Sequence, residues 1–590
     1  MKDKILIHQK RWRLKSPCPS EFIENFPAYS GIILQLLYDR GLDTQEKIDD
    51  FFNPDYSQGI HDPFLFLDMR KAVARIETAI KNKEKILIHG DYDADGVTAT
   101  VVLEKTLSKL GAIGVDFFIP HRDLDGYGLN LKNAENFVAQ GINLVITVDC
   151  GITNFEAIKF LKEKNIDTII VDHHLELENL PDAYAILNCS LKREAYPYKK
   201  LAGVGMVFKL AQALFLQQKN SEQYAAFEKW LLDLVAIGTI GDVSPILGEN
   251  RTLVKYGLMV LNKTPRKGLQ ELICIASLSS GEELKGLPLG SDLYNLNVRN
   301  ISFQIVPRLN AAGRIDHASL AYNLLTTEDE MTAIALAQDI QNKNIKRQKI
   351  AEQMLIEAKK QFDKVSDKNK ILIACQENWT PGLVGLVAGK LKDEFFRPVI
   401  LFAHQKDTYI GSGRSIVEFN ITEALQSTSA LLERFGGHSQ ACGLSIKGEK
   451  NYQDFLKKIT LEAEKKLKNT DLKPAIDIDM EIKLADLNWE LYDQLEQFEP
   501  FAEANPMPLF LIKKLKIEQI ESVGKDSKHL RFYFSQNNLS RKAISFGTAE
   551  EWGSVLKIGD LIDAVVEFGI NEWNGNRELQ LKVVDIKLSS

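Results

Sequence analysis

The sequence predicts an α/β protein with two αβ lobes joined by a long helix and a small β-barrel at the C-terminal end. Three observations predict this. From about Lys71, short apolar runs alternate with helical stretches, the pattern of a doubly wound, mostly parallel sheet. From Thr326 to about Val365 the chain is polar, helical in pattern and free of glycine and proline. After about Pro506, short strand-like runs follow one another with polar turns between them.

The elements follow in order. The stretch to about Met69 mixes short helical patterns with turn signals such as Asn53-Pro54-Asp55 and reads as a small cap. Its basic run, Lys2, Lys4, Lys10, Arg11, Arg13 and Lys15, reads as a solvated tail. In the first lobe the strand candidates are Lys85–His89, Val115–Ile119, Leu144–Val148, Thr168–Val171 and Tyr184–Leu187. A helix over the glycine-free stretch would extend on the order of 55–60 Å and suits a connector between lobes. The second αβ segment carries the apolar runs Ile371–Ala374 and Pro398–Ala403. The expected division is a cap over 1–70, a first lobe over 71–325, a connecting helix over 326–365, a second lobe over 366–468 and the barrel over 469–590. A chain of 590 residues accommodates several domains at roughly 100–200 residues each.

Composition excludes some classes. No apolar run approaches the roughly 20 residues needed to cross a bilayer, and the basic N-terminus lacks the apolar segment of a signal peptide. The cysteines (Cys18, Cys150, Cys189, Cys274, Cys375 and Cys442) are scattered without a CxxC pair, which argues against a zinc site or disulfide framework and for a reducing cytoplasm. The net charge of −7 is unlike that of many nucleic-acid binders, but phosphate binding needs only a local positive groove, and metal-holding carboxylates make an enzyme acidic overall.

Three acidic motifs end predicted strands: His89-Gly90-Asp91-Tyr92-Asp93-Ala94-Asp95-Gly96, Asp149-Cys150-Gly151 and Asp172-His173-His174. A further acid, Asp242, ends AIGTIGD. In an open α/β sheet the carboxyl ends of parallel strands form one crevice, so these residues can meet although far apart in sequence. Such a concentration of carboxylates repels itself unless cations compensate it. Oxygen ligands with one or two imidazoles suit Mn²⁺ or Mg²⁺ better than zinc, and this many ligands suits a pair of ions. Such a pair can activate a water and stabilise both oxygens of an in-line phosphoryl displacement.

In that order, HGDYDADG, VDCG, VDHH and IGD resemble the signature of the DHH superfamily of phosphoesterases. The resemblance implies that His89, Asp93 and Asp149 hold one metal, and that Asp95, Asp149, His173 and Asp242 hold the other, with Asp149 bridging. It makes His174 an acid–base or supporting group near the scissile phosphate. Asp91 stays open between orienting His89 and orienting a water. Further motifs are similar to the RecJ branch. Ile119–Asn130 (IPHRDLDGYGLN) is one. Another is Pro307–Arg314 (PRLNAAGR), in which Arg308, Asn310 and Arg314 are expected at substrate phosphate. Gly411–Ser415 (GSGRS) and Gly436–Gly443 (GGHSQACG) resemble the DHH-associated domain, whose glycine-rich loops let backbone amides approach an anion. Ser412, Arg414, Gly436, Gly437 and His438 are therefore candidates for holding a DNA backbone.

The C-terminal segment resembles the RecJ oligonucleotide-binding (OB) barrel, with Ala502 and Ala504 where that family usually has glycines. Its candidate contacts are Lys528, Arg531, Phe532, Tyr533, Arg541, Trp573 and Arg577, aromatics and cations suited to stacking and charge pairing along a single strand. The resemblance implies a single-stranded-DNA-specific 5′→3′ exonuclease that releases mononucleotides by two-metal-ion hydrolysis in DNA recombination and repair. Its cofactors would be two Mn²⁺ or Mg²⁺ ions. Its partners would be single-stranded DNA and, by inference, a helicase and a single-strand-binding protein, with no membrane involved. Two rivals are weaker. Oligonucleotide or cyclic-dinucleotide hydrolases of the superfamily usually lack the barrel and the cap. Non-catalytic relatives have lost metal ligands, whereas the set here is complete.

Overall fold

A computed structural model of the chain describes residues 10–122, 124–280, 296–362, 369–573 and 576–589, with backbone alone at 277–280, 525 and 573. Its residues fall into two compact units. One holds Tyr56–Ser244 and Glu249–Leu472; the other holds the described parts of Met1–Asp55, Pro245–Gly248 and Lys473–Ser590. The described chain opens on a short strand, β1 (Arg11–Leu14), whose partner strand lies near the other end of the sequence.

The larger unit carries the chemistry. Its first sheet is built of β2 (Ile86–His89), β3 (Val115–Phe118), β4 (Leu144–Val148), β5 (Asp167–Val171) and β6 (Ala185–Leu187). All pairings are parallel, in the order β3-β2-β4-β5-β6. Strands β2 and β4 are buried along their whole length, as expected where both faces of a parallel sheet are covered. The strand order reverses between β2 and β4, so a crevice opens beyond their carboxyl ends, where the acidic motifs lie.

Three apolar helices back that crevice. Helix α1 (Ala94–Lys109) follows β2, and α2 (Gly203–Leu216) and α3 (Leu232–Gly241) both pack against it. Asp242 is the residue after α3, so this acid ends a helix, not a strand. Helix α4 (Val306–Ile315) carries the PRLNAAGR motif, and α5 (Glu330–Phe362) is the long helix, about 50 Å at 1.5 Å per residue. It starts later than expected from the sequence. Ser319–Thr326 is a separate helix ending at extended Thr327, and the Asp329 carboxylate then accepts the Thr332 N–H at 2.8 Å, opening the new helix.

The second sheet holds β7 (Leu372–Gln376), β8 (Val399–Gln405), β9 (Thr408–Arg414), β10 (Arg434–His438) and β11 (Ala441–Lys447), ordered β10-β11-β9-β8-β7. Helix α6 (Pro381–Phe395) packs on β8 and β9. The segments expected to be glycine-rich loops are strands. Register aligns Gly436 with Gly443 and Gly443 with Ser412, and aligns His438 with Ala441 and Ala441 with Arg414. Gly437 is confined to glycine because it takes φ +144° and a Cβ there would meet the Ala441 carbonyl oxygen at 2.2 Å.

The smaller unit joins both ends of the chain. β1 pairs in parallel with β12 (Ala475–Ile478), Arg11 opposite Ala475 through Leu14 opposite Ile478. Two residues of the basic run read as a solvated tail are ion-paired here: Arg13 with Asp477 at 2.7 Å and Lys15 with Asp479 at 2.7 Å. Lys2 and Lys4 lie outside the described residues. After β13 (Met480–Glu481) and helix α7 (Trp489–Glu496) comes the barrel of β14 (Phe510–Val523), β15 (His529–Gln536), β16 (Leu539–Ser545), β17 (Leu561–Trp573) and β18 (Asn576–Leu588). The order β14-β15-β16-β18-β17 closes through β14–β17 pairing, so the short runs read from sequence become a closed five-stranded barrel.

The helices Ser20–Asn25, Gly31–Asp39 and Gln45–Phe52 place Phe22, Leu37, Ile48 and Phe51 in one core with Leu515, Ile517, Phe534 and Ile562 of the barrel. Part of the region read as a separate cap thus shares one core with the barrel, while residues from Tyr56 on belong to the larger unit. Phe498 is fully buried in this core, its ring 5.5 Å from Phe51 and 5.2 Å from Phe52. Phe498→Ala is predicted to destabilise this unit by about 3–5 kcal/mol, the usual result of emptying a packed phenylalanine site, read as a lower urea midpoint at unchanged slope.

Candidate functional site

The crevice beyond β2 and β4 is assembled from strand ends and helix starts. His89 closes β2, and the loop Asp91–Asp93 leads directly into α1. Asp93 caps that helix: its Oδ1 accepts the N–H of Asp95 at 3.0 Å and of Gly96 at 3.1 Å. Asp95, one residue inside α1, is gripped by the start of α2. Gly203 N donates to its Oδ2 at 2.7 Å and Val204 N to its Oδ1 at 2.8 Å. Asp149 follows β4 with φ +59°, a left-handed conformation that a residue with a Cβ adopts at a strain of about 1–3 kcal/mol.

These residues converge. Asp91, Asp93 and Asp149 each bring a carboxylate oxygen within 4.8 Å of the other two; so do Asp95, His173 and Asp242 as a set of carboxylate and imidazole atoms, and Asp149, His173 and His174 form a third such set. His173 Nε2 stands 3.2 Å from Asp149 Oδ1, 3.9 Å from Asp242 Oδ1 and 4.0 Å from Asp95 Oδ2. His89 belongs to none of these sets, and Asp91, expected to orient His89 or a water, stands against Asp93 and Asp149.

The electrostatics fit a cation site. Four buried atoms here have no hydrogen-bond partner among the described residues: His89 Nε2, Asp91 Oδ1, Asp149 Oδ1 and His173 Nε2. Burial and then the charge of Asp93 push the Asp91 carboxyl up to about 8. Burial, reinforced by neighbouring carboxylates, pushes Asp95 and Asp149 well above the usual range, and burial raises Asp242. Burial lowers His89 to about 4 and also lowers His173, leaving neutral imidazoles with a lone pair to offer. His89 Nδ1 lies 3.5 Å from Cys150 Sγ, a contact suited to fixing the ring with Nε2 free. Oxygen-rich donors with neutral imidazoles, several of them orphaned and resisting ionisation, are what one or two hard divalent cations would satisfy.

Asp172 has a different task. Its Oδ1 accepts the backbone N–H groups of His173 and His174 and the His174 ring Nδ1 at 2.8 Å, and its Oδ2 accepts Ile152 N. Burial opposes its ionisation, but these donors hold it down at about 2. Burial likewise opposes charge on His174, and the bond to Asp172 outweighs it, raising the imidazole to about 9. His174 is therefore a proton-bearing group at the edge of the carboxylate crevice. The Tyr127 hydroxyl, 3.2 Å from His174 Nδ1, also donates to the Asp149 carbonyl at 3.2 Å.

Beside the carboxylates lies a group of arginines. Arg314, on α4, donates to the Gly382 carbonyl at 3.1 Å; burial first, then the nearby charges of Arg122 and Arg347, hold its guanidinium down at about 9. Arg414 donates to Ser412 Oγ at 3.0 Å and is likewise lowered by burial and Arg122. Arg122 stacks its guanidinium 4.7 Å from the Tyr92 ring centre. Guanidinium groups buried beside like charge are set to receive an anion.

Comparison with known proteins identifies this arrangement. Family models match in three stretches: the DHH family, N-terminal domain, over residues 85–239; the DHHA1 domain over 368–465; and the RecJ OB domain over 478–585. The single-stranded-DNA-specific exonuclease RecJ of Bacillus subtilis (strain 168) is 35% identical over 589 residues, 99% of this chain and 72% of that protein. The chain belongs to the RecJ family. RecJ of Thermus thermophilus in complex with Mn²⁺ matches with a TM-score of 0.82 at 27% identity, over 98% of this chain and 80% of that one. Its complex with Mg²⁺ matches with a TM-score of 0.75 at 26% identity, over 98% and 79%.

Not every motif residue faces the RecJ-family crevice. Arg308 is turned to the long helix, its Nε donating to Gln341 at 2.9 Å and its Nη1 to the Gln304 carbonyl at 2.7 Å. Asn310 gives its side-chain carbonyl to Ala94 N at 2.7 Å. Gly436, Gly437 and His438 lie on the exposed edge strand β10. In the barrel, Phe532 is a core residue at 0% exposure, and the Trp573 side chain lies outside the described residues. A concavity of about 300 Å³ there is lined by Trp489, Arg541, Lys542, Arg577 and Glu578 among others, with the Arg577 guanidinium 5.6 Å from the Trp489 ring centre.

Asp172, Cys150, Arg122 and Tyr127 stand within the sequence motifs, whose pattern alone gives them no role. Gly203 lies in none of the motifs, yet a Cβ there would sit 2.5 Å from Asp149 Oδ1. Gly203→Ala is predicted to lower Mn²⁺ affinity by about 10–100-fold while leaving the circular-dichroism spectrum unchanged, since it displaces a carboxylate and no core side chain.

Proposed function

We propose that this chain is a single-strand-specific DNA exonuclease that removes mononucleotides from the 5′ end by metal-dependent phosphodiester hydrolysis, in DNA recombination and repair. The observation that carries the reading is the carboxylate–imidazole crevice standing beside the arginine group, a pairing suited to a phosphate bridged by cations. The likeness over nearly all of this chain to RecJ enzymes, named for single-stranded DNA and solved with Mn²⁺ and Mg²⁺, supports the substrate and the metal.

In this reading His89, Asp93 and Asp149, with Asp91 beside them, hold one Mn²⁺ or Mg²⁺, and Asp95, Asp149, His173 and Asp242 hold the other. Bound there, the pair would supply Lewis acidity toward a water and toward the phosphate oxygens of an in-line displacement. Asp172 holds His174 protonated, which suits it to donate a proton to the leaving oxygen. Arg314, Arg414 and Ser412, with Arg122, bind the phosphate and offset the charge that grows on it. Arg308, tied to α5, supports the catalytic arginine helix from behind. Gly436, Gly437 and His438 line the path of the strand on the second sheet, and Trp489 and Arg577 supply stacking and charge at the barrel's concavity. The Asp–His and Asp–amide contacts around Asp172 and Asp95 keep these groups oriented before substrate arrives. The protein acts in the cytoplasm beside a helicase and a single-strand-binding protein; no helix among the described residues is long and apolar enough to cross a membrane.

Single-stranded DNA labelled at either end and incubated with the protein and Mn²⁺ is expected to release labelled mononucleotide first from the 5′ end, and none in EDTA. First release from the 3′ end would discard the polarity, and cleavage of dinucleotides alone would discard the substrate. Arg314→Ala is predicted to lower kcat/KM on single strands by about 10–100-fold, the equivalent of one charge-assisted hydrogen bond, with bound Mn²⁺ unchanged by metal analysis.

A further inference from the structure

We propose that Asn310 is a positioning residue that keeps the Asp93 carboxylate free to serve a cation, an inference that rests on the metal-centre reading above. The argument begins with the start of α1. The first N–H groups of a helix have no acceptor in their own helix. At α1 three of them, on Ala94, Asp95 and Gly96, surround Asp93. Asp93 Oδ1 accepts from Asp95 and Gly96, and no helix amide among the described residues takes its Oδ2. The third amide, Ala94 N–H, is the one next to Asp93 in the chain and would compete for that remaining oxygen. Asn310 removes the competition by placing its own Oδ1 2.7 Å from Ala94 N.

The residue type matters. The position needs an acceptor, and it adjoins a crevice already crowded with the buried carboxylates of Asp91, Asp95 and Asp149. An asparagine supplies the acceptor without adding a charge. Its helix is held against the same loop at a second point. Gly313, three residues on, lies so close that a Cβ would be 2.8 Å from the Tyr92 carbonyl oxygen. Arg314 follows one turn after Asn310 and turns to Gly382. One face of α4 thus sets the Asp91–Asp93 loop and the arginine group in a common register.

Two variants separate this role from a contact with DNA. Asn310→Leu keeps the approximate size and removes both polar functions; Asn310→Asp keeps the acceptor and removes the amide donor. Mn²⁺ affinity of the full chain is measured by calorimetric titration without DNA, with thermal melts in EDTA to confirm folding. The expected result is a loss of about 10–100-fold for Asn310→Leu, as for other residues that orient metal ligands, and affinity retained or tightened for Asn310→Asp. Wild-type Mn²⁺ affinity in Asn310→Leu would overturn the proposal, and a raised KM for DNA in both variants at unchanged Mn²⁺ affinity would assign Asn310 to substrate instead. An unaltered chain that binds no Mn²⁺ would overturn the metal-centre reading first and this inference with it.

Discussion

Negative charge held out of water at the carboxyl edge of the first sheet is the constraint on which the site depends. Asp91, Asp95 and Asp149 are buried, and leaving an ion there unpaired is unfavourable by several kcal/mol. Protein donors answer part of this. The two amides at the start of α2 that grip Asp95 offset about 1.5–3 kcal/mol each as charge-assisted bonds. Asp149 Oδ1 and Asp91 Oδ1 receive no such donor. Divalent cations would close that gap, which gives the unsatisfied atoms a reason to be there. The close approach of Gly203 and the strained backbone of Asp149 follow from the same need to crowd oxygen atoms together.

Opposite charge is handled on the adjoining side. Burial, with the charge of Arg122 beside them, holds the Arg314 and Arg414 guanidinium groups down, and a ligand that presents phosphate to the arginines and shares cations with the carboxylates would relieve both groups. Helix α4 ties the two groups. Its Asn310 and Gly313 meet the acidic loop, while Arg314 contacts Gly382 at the start of α6. Asp172 is the exception among the acids. It accepts enough N–H groups to stay ionised without a metal, and it passes that charge to His174 as a retained proton.

The smaller unit shows the same dependence of local roles on distant contacts. Its core combines helices from the first 52 residues with barrel strands after residue 510. Alternation along β15 buries Phe532 and Phe534 and leaves Arg531 and Tyr533 half-exposed, so neighbouring aromatics of one strand have different tasks. The exposed Trp489 comes from helix α7, outside the barrel strands, yet it lines the same concavity as Arg541 and Arg577.

By itself the sequence determined the class of elements, the residue types of the centre and the family. Each rests on local pattern: apolar runs of strand length, acids at strand ends, and contiguous motifs such as HGDYDADG and PRLNAAGR. It did not determine which oxygen or nitrogen meets which. Tertiary structure set Asp91 against Asp93 and Asp149, turned Arg308 to the long helix and Arg314 to the second αβ segment, and laid the GGH segment down as an edge strand. It also committed the Asn310 carbonyl to a helix amide and brought Gly203 against Asp149. The physical reason is common to all of these. A side chain's partner depends on the angle at which helices and strands far apart in the chain meet, and on strand register, and neither is written in the spacing of nearby residues.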